Sequence, residues 1–190
     1  NMMVSHDGGF TWTSNSMNKE CKMLFDIKMF DKNTGFVCAA TDEDLEKSNA
    51  LVLKTNDGGK TWKKVYQSDR PFETTWKVSF PSEKVGYVTI QSYNPDPNVK
   101  QQRIAKTTDG GKTWKEINLV EDAGAREFGI GFIDENHGFV GTMNSGYETK
   151  DGGLTWTPIN LGMACNKIRI YKDANGKVYG YAIGVDVMKF

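Results

Sequence analysis

Two Gly-Lys-Thr triplets are the first residues in this sequence that suggest a known chemistry, which is phosphate binding. They lie at 59–61 and 111–113. A phosphate-binding loop also needs a glycine five residues before its Gly-Lys pair, and Lys54 and Lys106 occupy that position here. The triplets therefore do not predict a nucleotide site.

Candidate metal ligands and general bases are equally sparse. The Asp-x-Asn-x-Gly runs at 31–35 and 134–138 contain part of a calcium-loop pattern, but they lack its distal glutamate and further acids, so we interpret them as turns. The two histidines, His6 and His137, also fall in predicted turns, and no Gly-x-Ser-x-Gly nucleophile motif is present. We therefore predict no catalytic residue, no metal site and no cofactor.

The composition is that of an ordinary globular domain. Of 190 residues, 38% are apolar, and 24 basic residues balance 24 acidic ones. Because no block of like charge stands out, we expect no nucleic-acid partner. Because no run of eighteen apolar residues exists, we expect no membrane span. The cysteines, Cys21, Cys38 and Cys165, form no Cys-x-x-Cys pair and are expected to be buried free thiols.

An internal repeat defines the elements that must position any functional residue. The pattern Ser/Thr-x-Asp-Gly-Gly-x-Thr-Trp, called here the Asp box, occurs four times, and its tryptophans are 50, 52 and 42 residues apart. That spacing is typical of one four-stranded propeller blade. The box residues to which we assign structural roles are Asp7, Gly9, Trp12, Asp57, Gly59, Trp62, Asp109, Gly111, Trp114, Asp151, Gly153 and Trp156.

Each box residue has a backbone reason to be there. The aspartate can accept hydrogen bonds from amides of its own turn, and the glycines supply positive φ. The tryptophan is too large for an exposed turn, so we expect it to pack against strands of its own or a neighbouring blade. The boxes thus predict a scaffold and perform no chemistry.

A weaker repeat between the boxes completes the blade. It consists of a short apolar strand, a polar turn and a Gly-aromatic-small segment, as in Ile27–Val37. We predict an all-β fold, a β-propeller of four-stranded antiparallel blades, with about four blade-equivalents. The box is the hairpin between the third and fourth strands, counted from the centre. The expected blades span 1–13 (partial), 23–66, 75–118, 126–160 and 167–190 (partial).

These boxes resemble those of the BNR/Asp-box propellers, and the resemblance covers essentially the whole chain. That group includes sialidases, xyloglucanase-type glycosidases, sortilin-like receptors and photosystem II assembly-factor-like proteins. The pairing of each box with an Ile-x-Phe and Gly-Phe/Tyr-Val strand pair is most similar to the last group. The resemblance implies a non-catalytic binding or assembly scaffold. It also implies a ring of six to eight blades, of which this chain would be a fragment; the rival is a small ring closed by the N-terminal strands.

A glycoside hydrolase, sialidase-like or xyloglucanase-like, is the alternative that the resemblance leaves open. Sialidases carry an Arg-Ile-Pro motif, an arginine triad, an acid/base aspartate and a Tyr/Glu pair. The nearest segments here, Arg103-Ile104-Ala105 and Arg70-Pro71, do not fit, and four arginines do not allow a triad to be assigned. This alternative requires catalytic residues that are partly missing from the chain.

Unequal connections point to a binding face. The distance from the second-strand glycine to the box aspartate is 22, 23 and then 13 residues. The extra residues, around 41–49 and 92–102, should project from the face opposite the boxes, and the first insertion has room for one helical turn.

The predicted binding residues on that face are Arg70, Tyr93, Asp96 and Arg126. The expected partner is a protein or a glycan. The first residues show no signal-peptide pattern, and the resemblance alone implies an extracellular, periplasmic or lumenal location.

Overall fold

The computed structural model describes residues 1–189, and within this range the chain is built from β-strands without helices. Consequently no helix in this range could cross a membrane. Phe190, the last residue of the final predicted blade, lies outside the described residues.

The strands form five antiparallel sheets in chain order. The N-terminal ribbon contains β1 (Met2–Val4) and β2 (Thr13–Asn15). Sheet I contains β3 (Met23–Met29), β4 (Gly35–Ala40), β5 (Ala50–Thr55) and β6 (Lys63–Gln67). Sheet II contains β7 (Glu73–Ser79), β8 (Gly86–Ser92), β9 (Gln101–Thr107) and β10 (Lys115–Glu121). Sheet III contains β11 (Glu127–Phe132), β12 (Gly138–Thr142), β13 (Gly146–Thr149) and β14 (Thr157–Ile159). Sheet IV contains β15 (Lys167–Lys172), β16 (Val178–Ile183) and β17 (Val187–Lys189).

Each strand pairs with its neighbour in sequence, so every sheet is a simple meander. Strand β4 is buried along its whole length because other parts of the chain cover both faces of sheet I. Such a strand is continuously apolar and does not alternate between apolar and polar residues.

The sheets pack face to face through the aromatic residue that follows the second-strand glycine. Phe36 stacks on Phe80 of the next sheet at 4.6 Å between ring centres, and Tyr87 stacks on Phe132 at 3.7 Å. The Tyr87 hydroxyl also donates to the Glu135 carbonyl oxygen at 2.7 Å. This blade-on-blade stacking confirms the predicted propeller architecture.

The two ends of the blades carry different connections. On one end, called here the box face, the box turns of sheets I, II and III bond the turn between the first two strands of the same sheet; in sheet II, for example, the Gly110 amide donates to the Lys84 carbonyl oxygen at 2.9 Å. On the other end, the far face, second-to-third connections meet the links between sheets. There the Tyr93 amide donates to the Phe72 carbonyl oxygen at 2.7 Å. The predicted division of loops between two faces is therefore observed.

All four boxes share one hydrogen-bond pattern. In the second box, Thr61 donates to Asp57 through its amide at 2.9 Å and through its hydroxyl at 2.5 Å, and the Gly59 amide donates to Thr55 Oγ1 at 2.9 Å. The two bonds from Thr61, led by the one from its hydroxyl, lower the pKa of the Asp57 carboxyl to about 2. Both glycines of every box have positive φ, as expected.

The box tryptophans do not all pack as predicted. Trp62 is buried, Trp114 makes edge contacts with Phe36 and Phe80, and Trp156 does so with Phe132. The prediction that every box tryptophan packs against strands is wrong for Trp12, because 58% of its surface is exposed. It belongs to the two-stranded ribbon, which provides no inner strands for the indole to cover.

The first far-face insertion also differs from expectation. Residues 41–49 form no helical turn but two hydrogen-bonded turns, in which the Lys47 amide donates to the Asp44 carbonyl oxygen at 3.0 Å. Asp44 Oδ2 in addition forms a 2.8 Å salt bridge with Lys47. These local bonds satisfy the backbone without a helix.

The remaining local predictions concern turns and thiols. Asp31 Oδ1 accepts bonds from the amides of Asn33 and Thr34, and Asp134 Oδ1 does the same for Asn136 and His137, so both runs are Asx turns. The three cysteines are free and buried.

In residues 1–189, no group of three His, Cys, Asp or Glu side chains is arranged to hold a metal ion. Within the same residues, the ribbon and sheet IV remain separate sheets.

Candidate binding face

The far face between sheets I and II is built around a tight backbone turn. Phe72 has φ of 64°, a left-handed conformation that is uncommon for a bulky residue. Its carbonyl oxygen accepts the Tyr93 amide, and the carbonyl oxygen of Arg70 accepts Asn49 Nδ2 at 2.8 Å. The link between the two sheets is thus fixed to both far-face insertions. Backbone strain of this kind persists only where surrounding bonds hold it.

Arg70 lies at the centre of an ion-pair network. Its Nε and Nη2 bond both carboxylate oxygens of Glu73, at 2.6 and 3.1 Å, and Nη2 also contacts Glu116 Oε2 at 2.9 Å. The Tyr66 hydroxyl donates to the other Glu116 oxygen at 2.7 Å. Arg103 adds a longer contact to Glu116 at 3.8 Å. One guanidinium therefore joins carboxylates from the first and last strands of sheet II.

This network holds Arg70 in place and leaves it few free donors. The side chain of Glu73 is 6% exposed, and burial raises the pKa of its carboxyl while the bonds from Arg70 oppose that rise. Burial, together with the bond to Glu116, raises the pKa of the Tyr66 hydroxyl well above its usual range. Arg70 therefore acts mainly as an internal counterion, which limits the contribution to ligand binding that was predicted for it.

Tyr93 and Arg126 lie next to each other on the far face, and we call this pair of side chains the rim. The Arg126 guanidinium carbon lies 5.8 Å from the centre of the Tyr93 ring, within cation–π range. The Tyr93 hydroxyl donates to Gln91 Oε1, and burial raises the pKa of the Tyr93 hydroxyl. Arg126 is exposed and forms no salt bridge within residues 1–189. The pair thus presents a guanidinium without a carboxylate partner in residues 1–189, beside an aromatic ring that is fixed by the bond to Gln91.

Asp96 is not part of this arrangement. Its carboxylate accepts bonds from the Asn98 amide and side chain, both at 2.9 Å, and its own amide donates to Asn94 Oδ1. These bonds shape the tip of the loop. Of the four predicted binding residues, the structure therefore brings Tyr93 and Arg126 together. Arg70 is bonded to Glu73 and Glu116, and Asp96 bonds only within its own loop.

Beneath the rim lies a fully buried carboxyl group. Glu127 begins β11 with no exposed surface, and neither of its carboxylate oxygens has a hydrogen-bond partner. Its carbonyl oxygen accepts Gln91 Nε2 at 3.0 Å. Burial raises the pKa of the Glu127 carboxyl well above its usual range, and the charge of Glu73 adds to that rise. The backbone amides of Glu127 and Arg103 lie near the carboxyl without meeting hydrogen-bond geometry, and together with the Arg103 charge they oppose the rise in pKa only in part. Glu127 therefore cannot serve as an accessible acid or base.

The strand registers give Glu127 a structural counterpart. Thr75 pairs with Ile90 in sheet II at the site where Glu127 pairs with Thr142 in sheet III. Thr75 Oγ1 reaches back to sheet I, where it accepts from the Ala39 amide at 2.7 Å. A neutral hydroxyl thus occupies in one sheet the place that a carboxyl occupies in the next.

Sequence reasoning missed the residues that complete this face. Gln91, Glu116 and Glu127 stand at ordinary strand positions, and no local motif distinguishes them. Glu127 could have been noticed as a charge within a strand whose other residues are apolar or glycine, EFGIGF. Tyr66 and Glu116 come together from strands about 50 residues apart, which a motif search does not detect.

Comparisons with solved structures support the fold. YCF48 bound to D1 peptide matches with 20% identity and a TM-score of 0.59, covering 88% of this chain and 51% of that one. YCF48 from Cyanidioschyzon merolae matches with 22% identity and a TM-score of 0.55, covering 88% and 53%. The GH74 xyloglucanase from Xanthomonas campestris matches with 14% identity and a TM-score of 0.59, covering 82% and 25%. The chain thus spans about half the length of the YCF48 structures, and these identities establish the fold alone.

Comparison with known sequences adds a family. A search of curated protein sequences gave no match. The profile described as Sortilin, neurotensin receptor 3 (Sortilin-Vps10) matches residues 1–129, which is more than half of the sequence. Together with the four Asp boxes and the stacked blades, this match shows that the chain belongs to the Sortilin-Vps10 family of propellers.

Proposed function

We propose that this chain is a non-catalytic binding scaffold whose far face holds an extended protein segment through Tyr93 and Arg126. The observation that carries the proposal is the Arg126–Tyr93 pair, 5.8 Å apart, with an exposed guanidinium that no carboxylate of residues 1–189 neutralises. Arginine and tyrosine, together with tryptophan, are enriched at the energetic centre of protein interfaces. A carboxylate on the partner would complete the arginine's bonding.

The acids near this rim do not favour catalysis. Arg70 binds both Glu73 and Glu116, and Glu127 is buried. A glycosidase needs one carboxyl group that can give up a proton and a second that can reach the sugar. The structure of YCF48 with a bound D1 peptide gives a precedent for peptide binding on a similar fold.

The test is peptide binding measured by fluorescence anisotropy, with labelled D1 peptide and a panel of peptides ending in a free carboxylate. Arg126→Ala should weaken binding at least about tenfold, because a hydrogen bond to a charged group contributes about 1.5–3 kcal/mol. Lys112→Ala, at an exposed position of the box face, is the matched control and should leave the affinity unchanged. If Arg126→Ala and Lys112→Ala bind alike, the proposal is wrong.

A glycoside hydrolase remains the alternative because of the similarity to the GH74 fold. Turnover of xyloglucan or of a fluorogenic sialoside, lost in Glu73→Gln and Glu116→Gln, would favour it over the scaffold. An exported or lumenal location is also a proposal, and a reporter fusion to the complete gene product would test it.

A further inference from the structure

Gln91 stands at a position where the other sheets carry apolar residues. It is the fifth residue after Gly86, the second-strand glycine of sheet II. Counted in the same way, the position holds Ala40 in sheet I, Met143 in sheet III and Val185 in sheet IV. The repeat itself therefore calls for an apolar residue here, and the glutamine needs a reason that is specific to sheet II.

The Gln91 side chain is bonded at both ends of its amide. Gln91 is fully buried, where a polar group is costly unless it is hydrogen bonded. Its Nε2 donates to the Glu127 carbonyl oxygen at 3.0 Å, and its Oε1 accepts from the Tyr93 hydroxyl. Because a carbonyl oxygen can only accept, the bond to Glu127 determines which end of the amide faces Tyr93. One buried side chain thus connects sheet II, the start of β11 and the loop after β8.

Tyr93 is fixed at its backbone as well as at its hydroxyl. Its amide donates to the Phe72 carbonyl oxygen at 2.7 Å, in the link between sheets I and II. The bond to Gln91 holds the opposite end of the side chain. Since a tyrosine has only two side-chain torsions, anchoring the hydroxyl together with the backbone leaves the ring a single orientation.

The same glutamine also fixes the backbone that carries Arg126. Glu127, whose carbonyl oxygen accepts from Gln91, directly follows Arg126 in the chain. On its other side, Arg126 is held by the bond from its own amide to the Gly124 carbonyl oxygen at 3.0 Å. Gln91 therefore ties the ring of Tyr93 to the backbone beside Arg126, and the guanidinium carbon lies 5.8 Å from the ring centre.

We propose that Gln91 is the positioning residue of the rim: its buried amide sets the Tyr93 ring against Arg126 before any partner arrives. As far as the partner is concerned, this inference rests on the proposed function. Gln91 is buried and does not touch the partner. It acts through Tyr93 and Arg126, because side chains that are already ordered lose less conformational freedom on binding.

The repeat supplies the substitution that tests this role. Gln91→Met removes both bonds and keeps the length of the side chain, and it introduces the residue type that sheet III has at this position, so the fold should be retained. Gln102→Met is the matched control, since Gln102 is a second buried glutamine of sheet II and its amide oxygen has no hydrogen-bond partner. Tyr93→Phe removes only the hydroxyl bond and keeps the test open should Gln91→Met fold poorly.

Nuclear Overhauser effects measure the geometry of the rim without any ligand. In the wild-type protein, the ring protons of Tyr93 should show these effects with the side-chain protons of Arg126. Gln91→Met and Tyr93→Phe should weaken them, because the ring is then free to turn. Gln102→Met should leave them as they are in wild type. A purely structural role of Gln91 would not change this one contact selectively.

Peptide affinity measures the consequence for binding, with the labelled D1 peptide and the carboxylate-ended panel. Gln91→Met and Tyr93→Phe should each weaken binding about three- to tenfold, the usual effect of having to order a side chain on association. The double variant should bind like Gln91→Met alone, because Tyr93→Phe removes a bond that is already absent. Gln102→Met should bind like wild type.

Two results would overturn the proposal: Overhauser effects that Gln91→Met leaves unchanged, or losses of affinity that add up in the double variant. The first shows that the rim keeps its geometry without Gln91, and the second shows that Gln91 does not act through the Tyr93 hydroxyl. If instead Arg126→Ala binds the panel as tightly as wild type, the proposed function fails. The Overhauser comparison then still decides whether Gln91 positions the rim.

Discussion

The buried carboxyl of Glu127 leads to a pH dependence of stability that can be measured directly. Its side chain has no exposed surface and no hydrogen-bond partner on either oxygen, and burial raises its pKa well above that of an ordinary glutamic acid. The folded protein therefore keeps a proton that the unfolded chain has already released. This contribution to stability is fully present below the unfolded pKa of about 4.3. It is lost as the pH rises toward the folded pKa.

The size of the effect follows from the linkage of protons to folding. Over the pH range in which the folded state carries one proton more than the unfolded state, the free energy of unfolding falls by about 1.4 kcal/mol for each pH unit. Glu127→Gln has nearly the same shape and does not titrate. Relative to wild type, the variant should therefore become steadily more stable as the pH rises above about 4.3, by up to about 1.4 kcal/mol for each pH unit until the folded pKa is reached.

The assay is urea unfolding of wild type and Glu127→Gln at pH 4, 5, 6 and 7, with the difference taken at each pH so that other titrating groups cancel. Glu121→Gln, an exposed glutamate at the end of β10, is the matched control and should show no such trend. A Glu127→Gln difference that stays flat with pH, or that moves in favour of wild type, would refute the argument.

Three further predictions concern the stability of the fold. Lys106→Met should lower the free energy of unfolding by about 1 kcal/mol in urea titrations, because it removes the 2.8 Å bond from Lys106 Nζ to the Gly152 carbonyl oxygen of the next sheet. Trp62→Ala should cost about 3–5 kcal/mol in the same assay, whereas Trp12→Ala should cost less than about 1 kcal/mol because Trp12 is largely exposed; equal losses would contradict this assignment. Arg70→Met leaves the Glu73 carboxylate buried without its counterion, so the midpoint urea concentration should fall more at pH 8 than at pH 5; a loss independent of pH would argue against the ion pair.

The repeat predicted most of the fold. Four boxes at blade spacing identified the propeller, and the Gly-aromatic-small segments located the second strands, because both patterns reflect local backbone chemistry. Trp12 shows where local reasoning fails. Its box has the same bonds from threonine to aspartate as the other three, but whether an indole is covered depends on strands that are far away in sequence.

The candidate site was predictable only in part. Loop lengths led to the prediction that Tyr93 and Arg126 share the far face, and the structure brings these two side chains together; a binding role for that face stays a prediction. They could not show that Arg70 is occupied by Glu73 and Glu116, since these residues meet only when the sheets stack.

By itself the sequence determined the turns, the strands between them and the repeating blade, because those depend on glycine conformation, Asx hydrogen bonds and apolar patterning within a few tens of residues. Tertiary structure decided which charges are neutralised, which carboxyl is buried and which box tryptophan is covered. These properties depend on the surfaces that neighbouring blades bring together, and a side chain's solvent exposure and partners are fixed only at that contact.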